Sequence, residues 1–317
     1  MKAVIPGGSG QVGTALASAF KDSGDEVVVL GRSPFKADWR VVEWDGKTLG
    51  AWASEIDGSD VVINLAGRSV NCRYNKANRL EIMDSRVDST RIVGEAIAKS
   101  KQPPKVWLQS STATIYAHAF DVANDDVTGQ IGDDETNGPD TWKFSIDVAT
   151  AWEGVTNEAA TPNTRKVLMR SAMTMGTGHG GIFDTMLGLV RKGLGGTAGS
   201  GNQYISWVHE DDFVRAARWL IDHEELSGPI NLASPNPLPN REFMSIFRRS
   251  WGTRFGLPAM EWQLAIGALF MGTETELILK SRRVVPKLLT DSGFKFEFPT
   301  WEDACRDLCQ QWRKENR

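Results

Sequence analysis

Cysteine is scarce in this 317-residue chain, which contains only Cys72, Cys305 and Cys309. An odd and sparse set of cysteines does not form a disulfide framework, so the composition favours a reducing compartment. Cys305 and Cys309 stand four residues apart on a predicted helix, where they share a face. Because two thiols with no histidine nearby make a poor metal site, we predict helix packing for this pair and no bound metal.

Long apolar runs are missing as well. The apolar run from Trp262 to Met271 falls far short of the roughly 18 residues that a membrane-spanning helix needs. At the other end, Met1 and Lys2 lead directly into a predicted strand, and removal of a leader would destroy that strand. We therefore expect a cytoplasmic protein with no membrane partner; an organelle matrix, reached by import, is the alternative compartment.

Runs of basic residues are also absent, and the formal net charge is −4. This charge does not favour nucleic acid as a partner. Hydrophobic residues make up 41% of the chain and charged residues 24%, which is ordinary for a soluble globular protein. The length allows one large domain or two unequal ones.

The first half of the chain alternates short apolar runs with helical patterns, an order typical of β-α-β units and a parallel sheet. The predicted strands lie at residues 4–5, 26–30, 41–44, 60–65, 105–109 and 166–169. The predicted helices cover about residues 11–21, 75–100, 141–159 and 211–222. On the longest helix, a buried stripe is predicted from the helical spacing of Leu80, Met83, Val87, Gly94 and Ile97.

These patterns predict an α/β fold, in which a doubly wound parallel sheet of the Rossmann type carries a smaller, mainly helical C-terminal part on the substrate side. Residues 1–172 are expected to form the nucleotide-binding domain, and residues 204–234 to return to it. Residues 173–203 and 235–317 are expected to form the smaller region.

The chain opens MKAVIPGGSGQVGTALASAF, in which glycines at positions 7, 8, 10 and 13 give both a GxxGxxG and a GxGxxG spacing. The motif follows a predicted strand and opens a predicted helix. Such a turn lets the backbone approach a pyrophosphate, and the helix N-terminus directs its N–H groups at the phosphates. The cofactor-binding residues predicted here are Gly7, Gly10, Gln11, Val12 and Gly13.

The second predicted strand ends in Arg32 and Ser33. Sites selective for NAD usually place an acidic residue at this point, to bind the ribose hydroxyls. Arginine instead neutralises a 2′-phosphate and donates to it in bidentate fashion. We therefore predict that Arg32 and Ser33 bind NADP(H); a solvated surface arginine is the alternative.

Two segments resemble the extended short-chain dehydrogenase/reductases. Asn64-Leu65-Ala66-Gly67 resembles the turn after their fourth strand, and SSTATIY at residues 110–116 resembles the stretch after their fifth. Further segments, at residues 84–86, 89–91, 193–212, 231–243 and 285–289, make the chain similar to one atypical subfamily over nearly its whole length. Members of that subfamily are labelled NAD-dependent epimerase/dehydratase family proteins and carry a C-terminal domain of unknown function.

The resemblance implies where cofactor and substrate bind. The additional cofactor-binding residues that it implies are Leu65, Ala66, Gly67, Glu81, Arg86, Ser110 and Met173. Those that it implies on the substrate side are Gln203, Ser206, Trp207 and His209. For Arg86 a solvated helix arginine is the alternative, and for His209 we favour a structural role, with Asp211 as the cap of the following helix.

The catalytic Tyr-x-x-x-Lys pair of the superfamily is missing from this chain. The resemblance aligns its two positions with Phe144 and Val148, and neither side chain can transfer a proton. The three tyrosines are Tyr74, Tyr116 and Tyr204, and none of them has a lysine four residues later.

Thr112 and Tyr116 are the candidate replacements. Thr112 stands where the family has a serine that contacts the reacting oxygen, so the resemblance implies that it orients the substrate. Tyr116 is the candidate proton carrier, although without a lysine its pKa should stay near ~10. Packing with a bonded hydroxyl is the alternative role for Tyr116, and water is the alternative source of the proton.

These observations favour an NADP(H)-dependent oxidoreductase of the atypical extended class, acting on a small carbonyl or alcohol that the sequence does not identify. The missing pair supports an alternative, a catalytically weak or inactive NADP(H)-binding protein that serves as a redox sensor or interaction protein. A sugar-nucleotide epimerase is less favoured, because epimerisation through a keto intermediate needs the same proton relay. Extended members often dimerise through two helices, so the resemblance also implies a homodimer.

Overall fold

The computed structural model describes residues 1–132, 139–264, 274 and 276–316, so most of the apolar run at 262–271 lies outside the described residues. The strands are β1 (Lys2–Pro6), β2 (Glu26–Gly31), β3 (Arg40–Glu43), β4 (Val61–Asn64), β5 (Val106–Thr112), β6 (Arg165–Ser171), β7 (Met173–Met175), β8 (Tyr204–Ile205), β9 (Trp207–His209), β10 (Gly228–Leu232) and β11 (Leu238–Pro239). The α-helices are α1 (Gln11–Asp22), α2 (Lys76–Lys99), α3 (Asp140–Glu158), α4 (Ile182–Arg191), α5 (Glu210–Asp222), α6 (Asn240–Trp251), α7 (Glu276–Leu279), α8 (Lys287–Asp291) and α9 (Trp301–Glu315). Short 3-10 helices cover Ala51–Glu55 and Ala113–Ile115.

Seven of these strands form one sheet in the order β10-β6-β5-β4-β1-β2-β3, and all of their pairings are parallel. The strand order reverses at β1, which lies between β2 and β4. Open sheets of this kind bind ligands beyond the carboxyl ends of the strands at such a reversal. The structure confirms the predicted doubly wound α/β fold of the Rossmann type.

Strand β1 shows how the sheet is covered on both faces. Ala3 and Ile5 pack with α1 and α5 on one face, and Val4 packs with α2 on the other. Strands buried on both faces carry continuous apolar runs, and this is why the strands were predictable from the sequence.

Strands β5 and β6 are longer than predicted. Their ladder continues past residues 109 and 169, from Ser110 opposite Met169 to Thr112 opposite Ser171. Polar side chains, namely Ser110, Ser111, Thr112, Arg170 and Ser171, follow the apolar runs of the two strands, because the strand ends reach the crevice. The apolar pattern therefore stops before the strands do.

Helix α2 is buried mainly over its second half. Gly94 and Ile97 are buried, whereas Leu80 is 61% exposed. The prediction of a buried stripe is wrong at Leu80, because the first half of α2 runs along the crevice instead of across the sheet.

The C-terminal part is mainly helical, as predicted. Helices α4, α6 and α9 enclose an apolar cluster around Trp207 and Trp301, and the free thiols of Cys305 and Cys309 are buried in it. Between α6 and α9 the chain returns to the sheet, since Leu289 of α8 packs in the core with α5 and β10.

The described residues contain no helix that is long and apolar enough to span a membrane. Nor does this part of the chain hold a group of three or more His, Cys, Asp or Glu side chains that could bind a metal ion.

Candidate functional site

The glycine turn between β1 and α1 is a close-packed corner. Gly7 has a φ of +74°, which residues with a Cβ atom rarely adopt, and its N–H donates to the Leu30 carbonyl at 2.8 Å. A Cβ atom on Gly7 would stand 2.5 Å from the Cα of Ala66. Gly7 therefore allows the ends of β1, β2 and β4 to meet.

Gly13 and Gly10 shape the start of α1. A Cβ atom on Gly13 would stand 2.4 Å from the Cα of Gly8, so Gly13 lets the helix approach the turn. The space beside Gly10 is open, with nothing within 4 Å of an added Cβ atom. Gly10 is the N-cap of α1, and no side chain bonds to the cap. The free N–H groups of the first turn and the positive end of the helix dipole make an anion site.

The side chains of Gln11 and Val12 face away from this anion site. Gln11 Nε2 donates to Glu210 Oε2 at 2.7 Å, and Val12 packs against the core of the sheet. Only the backbone of these two residues is placed to meet a phosphate.

A cavity of about 150 Å³, here called the outer cavity, lies beside the turn. It is lined by Gly7, Ser9, Gly31, Arg32, Trp44, Asp45, Gly46, Lys47, Ala66, Gly67, Arg68, Ser85 and Ser89. The structure thus brings four predicted residues together: Gly7, Arg32, Ala66 and Gly67. It does not bring Ser33, Leu65, Glu81 or Ser110 to this cavity.

Arg32 is the cation best placed to meet a ligand in the outer cavity, since it pairs with no carboxylate among the described residues. Asp45 shares the cavity, but its carboxylate accepts from the N–H groups of Lys47 and Thr48 and from the Thr48 hydroxyl. These hydrogen bonds lower the pKa of Asp45 to about 2. Asp45 therefore stays ionised, and its carboxylate is occupied by hydrogen bonds within its own loop.

Lys47 and Arg68 are cations of the outer cavity that the sequence reasoning missed. Lys47 Nζ stands 3.9 Å from the nearest carboxylate oxygen, on Asp88, whereas Arg68 pairs with Glu81 at 2.9 Å. Glu81 therefore contacts a residue of the cavity lining and is not part of that lining itself. The signal for Lys47 was the loop DGKT, residues 45–48, directly after the third predicted strand.

A second cavity of about 200 Å³, here called the inner cavity, lies beyond the carboxyl ends of β5 and β6. It is lined by Val70, Tyr74, Ile82, Arg86, Thr112, Ala113, Thr114, Phe144, Ser145, Val148, Trp152, Ser171, Ala172, Met173, Ser206, Glu276 and Arg282. Four of the predicted site residues meet here: Arg86, Thr112, Met173 and Ser206. Most of the wall is apolar, so its few polar groups decide what can bind.

Arg86 stands where the two cavities adjoin. A Cβ atom on Gly67, in the outer cavity, would lie 3.2 Å from Arg86 Cζ. The guanidinium lies over the Trp152 ring and donates to the Ile82 carbonyl, and burial lowers the pKa of Arg86 to about 10. A half-buried cation with no carboxylate partner in the described structure favours an anionic ligand group.

Thr112 is the last residue of β5 and carries a hydroxyl into the inner cavity. Its Oγ1 accepts from the Thr114 N–H at 3.2 Å and donates to Thr114 Oγ1 at 3.1 Å. The hydroxyl is thus held in place, and its proton has to turn away from Thr114 Oγ1 before it can reach a ligand oxygen.

Tyr116 does not line the inner cavity. It is buried, its hydroxyl donates to Asn231 Oδ1 at 2.9 Å, and it accepts from Arg170 Nη1 at 3.0 Å. Arg170 is itself paired with Glu153 at 2.7 Å, and burial raises the pKa of Tyr116. This closed network is incompatible with Tyr116 as a proton carrier and fits the alternative role in packing.

Three of the residues expected on the substrate side lie elsewhere. Gln203 Nε2 donates to the Ala198 carbonyl at 2.8 Å, and the buried Trp207 ring packs against Trp301. His209 is buried against Phe298, with ring centroids 3.9 Å apart. Only Ser206 reaches the inner cavity.

His209 has a structural role, at the start of α5. Its Nδ1 accepts from the Asp211 N–H at 3.1 Å, so the N-cap of the helix is His209 and not Asp211. Burial lowers the pKa of His209, which favours the neutral ring that an accepting Nδ1 requires.

Phe144 and Val148 both line the inner cavity, so the positions aligned with the missing pair carry no polar atom there. The ring of Tyr74 meets that of Phe144 edge to face, with centroids 5.2 Å apart. Burial, aided by the nearby Glu276 carboxylate, raises the pKa of Tyr74 to about 12. Sequence reasoning noted Tyr74 only as one of three tyrosines and gave it no role.

Ser145, Glu276 and Arg282 complete the polar wall of the inner cavity. Ser145 Oγ donates to Glu276 Oε2 at 2.5 Å, and Arg282 Nη2 lies 3.3 Å from Glu276 Oε1. Glu276 and Arg282 come from the C-terminal part, more than a hundred residues along the chain from Ser145. No local pattern could have placed them here.

Comparison with known proteins finds two family models that match separate segments of the chain. Residues 3–233 match the NAD dependent epimerase/dehydratase family, and residues 263–308 match a domain of unknown function, DUF1731. The human epimerase family protein SDR39U1 is 27% identical over 311 residues, which are 97% of this chain and 99% of the human protein. Epimerase family protein YfhF of Bacillus subtilis is 29% identical over 315 residues, which are 97% of this chain and 98% of that protein.

A solved structure agrees over the same length. The crystal structure of human epimerase family protein SDR39U1 (isoform 2) with NADPH has a TM-score of 0.85 to this chain at 28% identity, and covers 98% of this chain and 99% of the human one. The epimerase match contains nearly all of the seven-stranded sheet, and the DUF1731 match contains Glu276 and Arg282 of the inner cavity. The protein belongs to the NAD dependent epimerase/dehydratase family.

Proposed function

We propose that this protein is an NADP(H)-dependent oxidoreductase of the atypical extended short-chain dehydrogenase/reductase class, acting on a small carbonyl or alcohol. The observation that carries the proposal is the junction of the two cavities at Gly67 and Arg86. The outer cavity offers cations to phosphates and lies beside the turn that leads into the free N–H groups of α1. The inner cavity offers a hydroxyl in an apolar pocket. A dinucleotide bound across this junction would place its two ends in different chemical surroundings.

The residues present fit NADP(H). The anion site at the start of α1 suits the pyrophosphate, because the space beside Gly10 is open where a side chain would block it. Arg32 and Lys47 suit a 2′-phosphate. The human relative was crystallised with NADPH, which supports the same choice of cofactor here.

The inner cavity holds the reaction in this proposal. Bound NADP(H) supplies a hydride to a substrate carbon, or accepts one from it. Thr112 turns its hydroxyl proton from Thr114 Oγ1 to the substrate oxygen, and Arg86 attracts an anionic group at the junction. The apolar walls formed by Val148 and Trp152 exclude water from the reacting centre.

The size of the inner cavity favours a small substrate. Its volume of about 200 Å³ lies below the roughly 300–1,000 Å³ of pockets that take drug-sized ligands. The cavity that the described residues enclose therefore suits a carbonyl compound of few heavy atoms better than a sugar nucleotide.

A second candidate is an NADP(H)-binding protein with little or no turnover, acting as a redox sensor or interaction protein. The observation that favours it is the presence of Phe144 and Val148 where the family's proton relay would stand. A measurement of hydride transfer from NADPH to a panel of small aldehydes, ketones and 2-oxo acids distinguishes the two candidates. The oxidoreductase should reduce at least one of these compounds, and the sensor or interaction protein should reduce none at an appreciable rate.

The first experiment is a thermal-shift titration with NADPH, NADP⁺, NADH and NAD⁺. Ligand at 100 times its dissociation constant should add about 2.7 kcal/mol of stability. We expect NADPH and NADP⁺ to stabilise the wild type but not Arg32→Ala. The control variant Arg254→Ala, which changes an exposed residue, should respond to the nucleotides as the wild type does. Absence of a shift with all four nucleotides would contradict the proposal.

A further inference from the structure

Tyr74 is the one tyrosine of the three that lines the inner cavity. It precedes α2, and it forms an apolar cluster with Val148, against which Phe144 packs. Tyr74 therefore contacts both positions that the resemblance aligns with the missing catalytic pair. The part of the inner cavity formed by Phe144 and Val148 therefore has a phenol beside it, and this phenol comes from the segment before α2 instead of from α3.

The backbone of Tyr74 is anchored on both sides. Its N–H donates to Glu274 Oε1 at 2.8 Å, and its carbonyl accepts from Arg79 Nε at 2.8 Å. The edge-to-face contact with Phe144 fixes the ring. The hydroxyl is thus preorganised, as a group that acts on a substrate must be.

Polar groups surround the Tyr74 hydroxyl. Ser145 provides a hydroxyl beside it, and the Glu276 carboxylate accepts from Ser145 at 2.5 Å. Arg282, paired with Glu276, compensates the charge of that carboxylate. This arrangement links the phenol to a carboxylate through one hydroxyl, which is a path for a proton.

We propose that Tyr74 is the proton donor of the inner cavity, and that Ser145 and Glu276 position and reprotonate it. The inference rests on the proposed oxidoreductase function. During reduction, the π electron pair of the substrate C=O moves to oxygen as the carbon gains a hydride. The oxygen takes the phenol proton of Tyr74, and the phenolate takes the hydroxyl proton of Ser145. Ser145 Oγ in turn takes a proton that solvent water delivers to the Glu276 carboxylate, its hydrogen-bond partner. The product is an alcohol, and one proton is consumed.

The high pKa of Tyr74 gives this chemistry a direction. A phenol that stays protonated across the neutral range is ready to donate, and an alkoxide is a stronger base than a phenolate. Oxidation of an alcohol would require the phenolate, which is scarce at neutral pH. Tyr74 therefore suits reduction, and the reverse reaction should need alkaline pH.

The test uses the protein saturated with NADP⁺ and labelled with ¹³C at Cζ of its three tyrosines. Tyr74→Phe and Tyr204→Phe assign the resonances, and Tyr204, which lies under Arg283 outside the cavity, is the matched control. The probe is isobutyramide, an unreactive carbonyl compound. We expect isobutyramide to shift the Tyr74 resonance and to leave that of Tyr204 unchanged.

Activity provides the second readout. With a carbonyl compound that the wild type reduces, kcat should fall by about 10²–10⁴-fold in Tyr74→Phe, while the Kd for NADPH and the activity of Tyr204→Phe stay at wild-type values. If isobutyramide does not shift the Tyr74 resonance, or if Tyr74→Phe keeps the wild-type kcat, the proton-donor role of Tyr74 is overturned. The oxidoreductase proposal would stand in either case. A wild type that binds NADPH but reduces no carbonyl overturns the oxidoreductase itself, and with it this role of Tyr74.

Discussion

Gln11 Nε2 lies 2.7 Å from Glu210 Oε2, so the first residue of α1 is tied to the first residue of α5. Gly176 and Gly181 make this contact possible, because a Cβ atom on either would stand 2.2 to 2.3 Å from the Gln11 amide. Burial, together with the nearby carboxylates of Asp211 and Glu315, raises the pKa of Glu210 above its ordinary 4.5. An acidic side chain thus sits close to the anion site without facing it.

The first prediction concerns the pH dependence of stability. Because the pKa of Glu210 is higher in the folded state, its contribution to stability is full below about pH 4.5 and is lost as pH rises through the folded pKa. A glutamine at this position still offers an oxygen that accepts from Gln11. Because glutamine does not ionise, it removes the decrease in stability that occurs when Glu210 loses its proton. We expect Glu210→Gln to raise Tm at pH 7 by roughly 1–3 °C and to flatten the dependence of Tm on pH.

Thermal unfolding from pH 4 to pH 8 measures this effect. The control is Glu302→Gln, an exposed glutamate on α9, whose profile should follow that of the wild type. A lower Tm of Glu210→Gln at pH 7 would show that the ionised carboxylate stabilises the fold.

The second prediction separates backbone strain from crowding at the glycine turn. Gly7 and Gly24 both have positive φ, at +74° and +83°. An added Cβ meets Ala66 at Gly7, but nothing within 4 Å at Gly24. Gly24→Ala should cost about 1–2 kcal/mol from strain, and Gly7→Ala about 1–3 kcal/mol more from overpacking.

Urea unfolding of the two variants, with NADPH titrations, tests this difference. Gly24→Ala should keep the wild-type Kd for NADPH, whereas Gly7→Ala should weaken binding because the turn no longer closes. Equal loss of stability in both variants would mean that the close approach at Ala66 is easily relieved.

The third prediction concerns Lys47, which lines the outer cavity with Arg32. One charge-assisted contact to a phosphate contributes about 1.5–3 kcal/mol, so Lys47→Ala should raise the Kd for NADPH by about 10-fold or more. The Kd for NADH should change little, because NADH has no 2′-phosphate. Fluorescence titration of the reduced nucleotides measures both constants.

Salt dependence adds a second check on Lys47. The advantage of NADPH over NADH should shrink as ionic strength rises in the wild type, and less so in Lys47→Ala. Lys192→Ala, a change on the exposed surface after α4, is the control. A similar weakening of both nucleotides in Lys47→Ala would indicate a contact with a shared part of the cofactor.

The sheet and the glycine turn could be predicted because their causes are local. Val4 and Ile5 belong to a strand buried on both faces, and Gly7 and Gly10 follow directly in sequence. Arg32 was found by the same logic, as the residue after a strand whose position in the fold was already known. These residues needed no knowledge of distant parts of the chain.

The inner cavity could not be predicted, because the residues of its polar wall are far apart in the sequence. Tyr116 follows β5 directly, so proximity in sequence favoured it, yet its ring turns into the network with Arg170. Tyr74 and Glu276 are about two hundred residues apart in sequence and share one cavity. Only the return of the C-terminal part to the sheet brings them together.

That return has a consequence for synthesis on the ribosome. Leu289 and Phe294 complete the core beneath α5 and β10, so the nucleotide-binding half remains unfinished until residue 294 has left the exit tunnel. Contacts between residues so distant in sequence slow folding. A nascent chain that ends near residue 233 would expose apolar side chains of α5 and of its sheet, and would be prone to aggregate until Leu289 and Phe294 cover them.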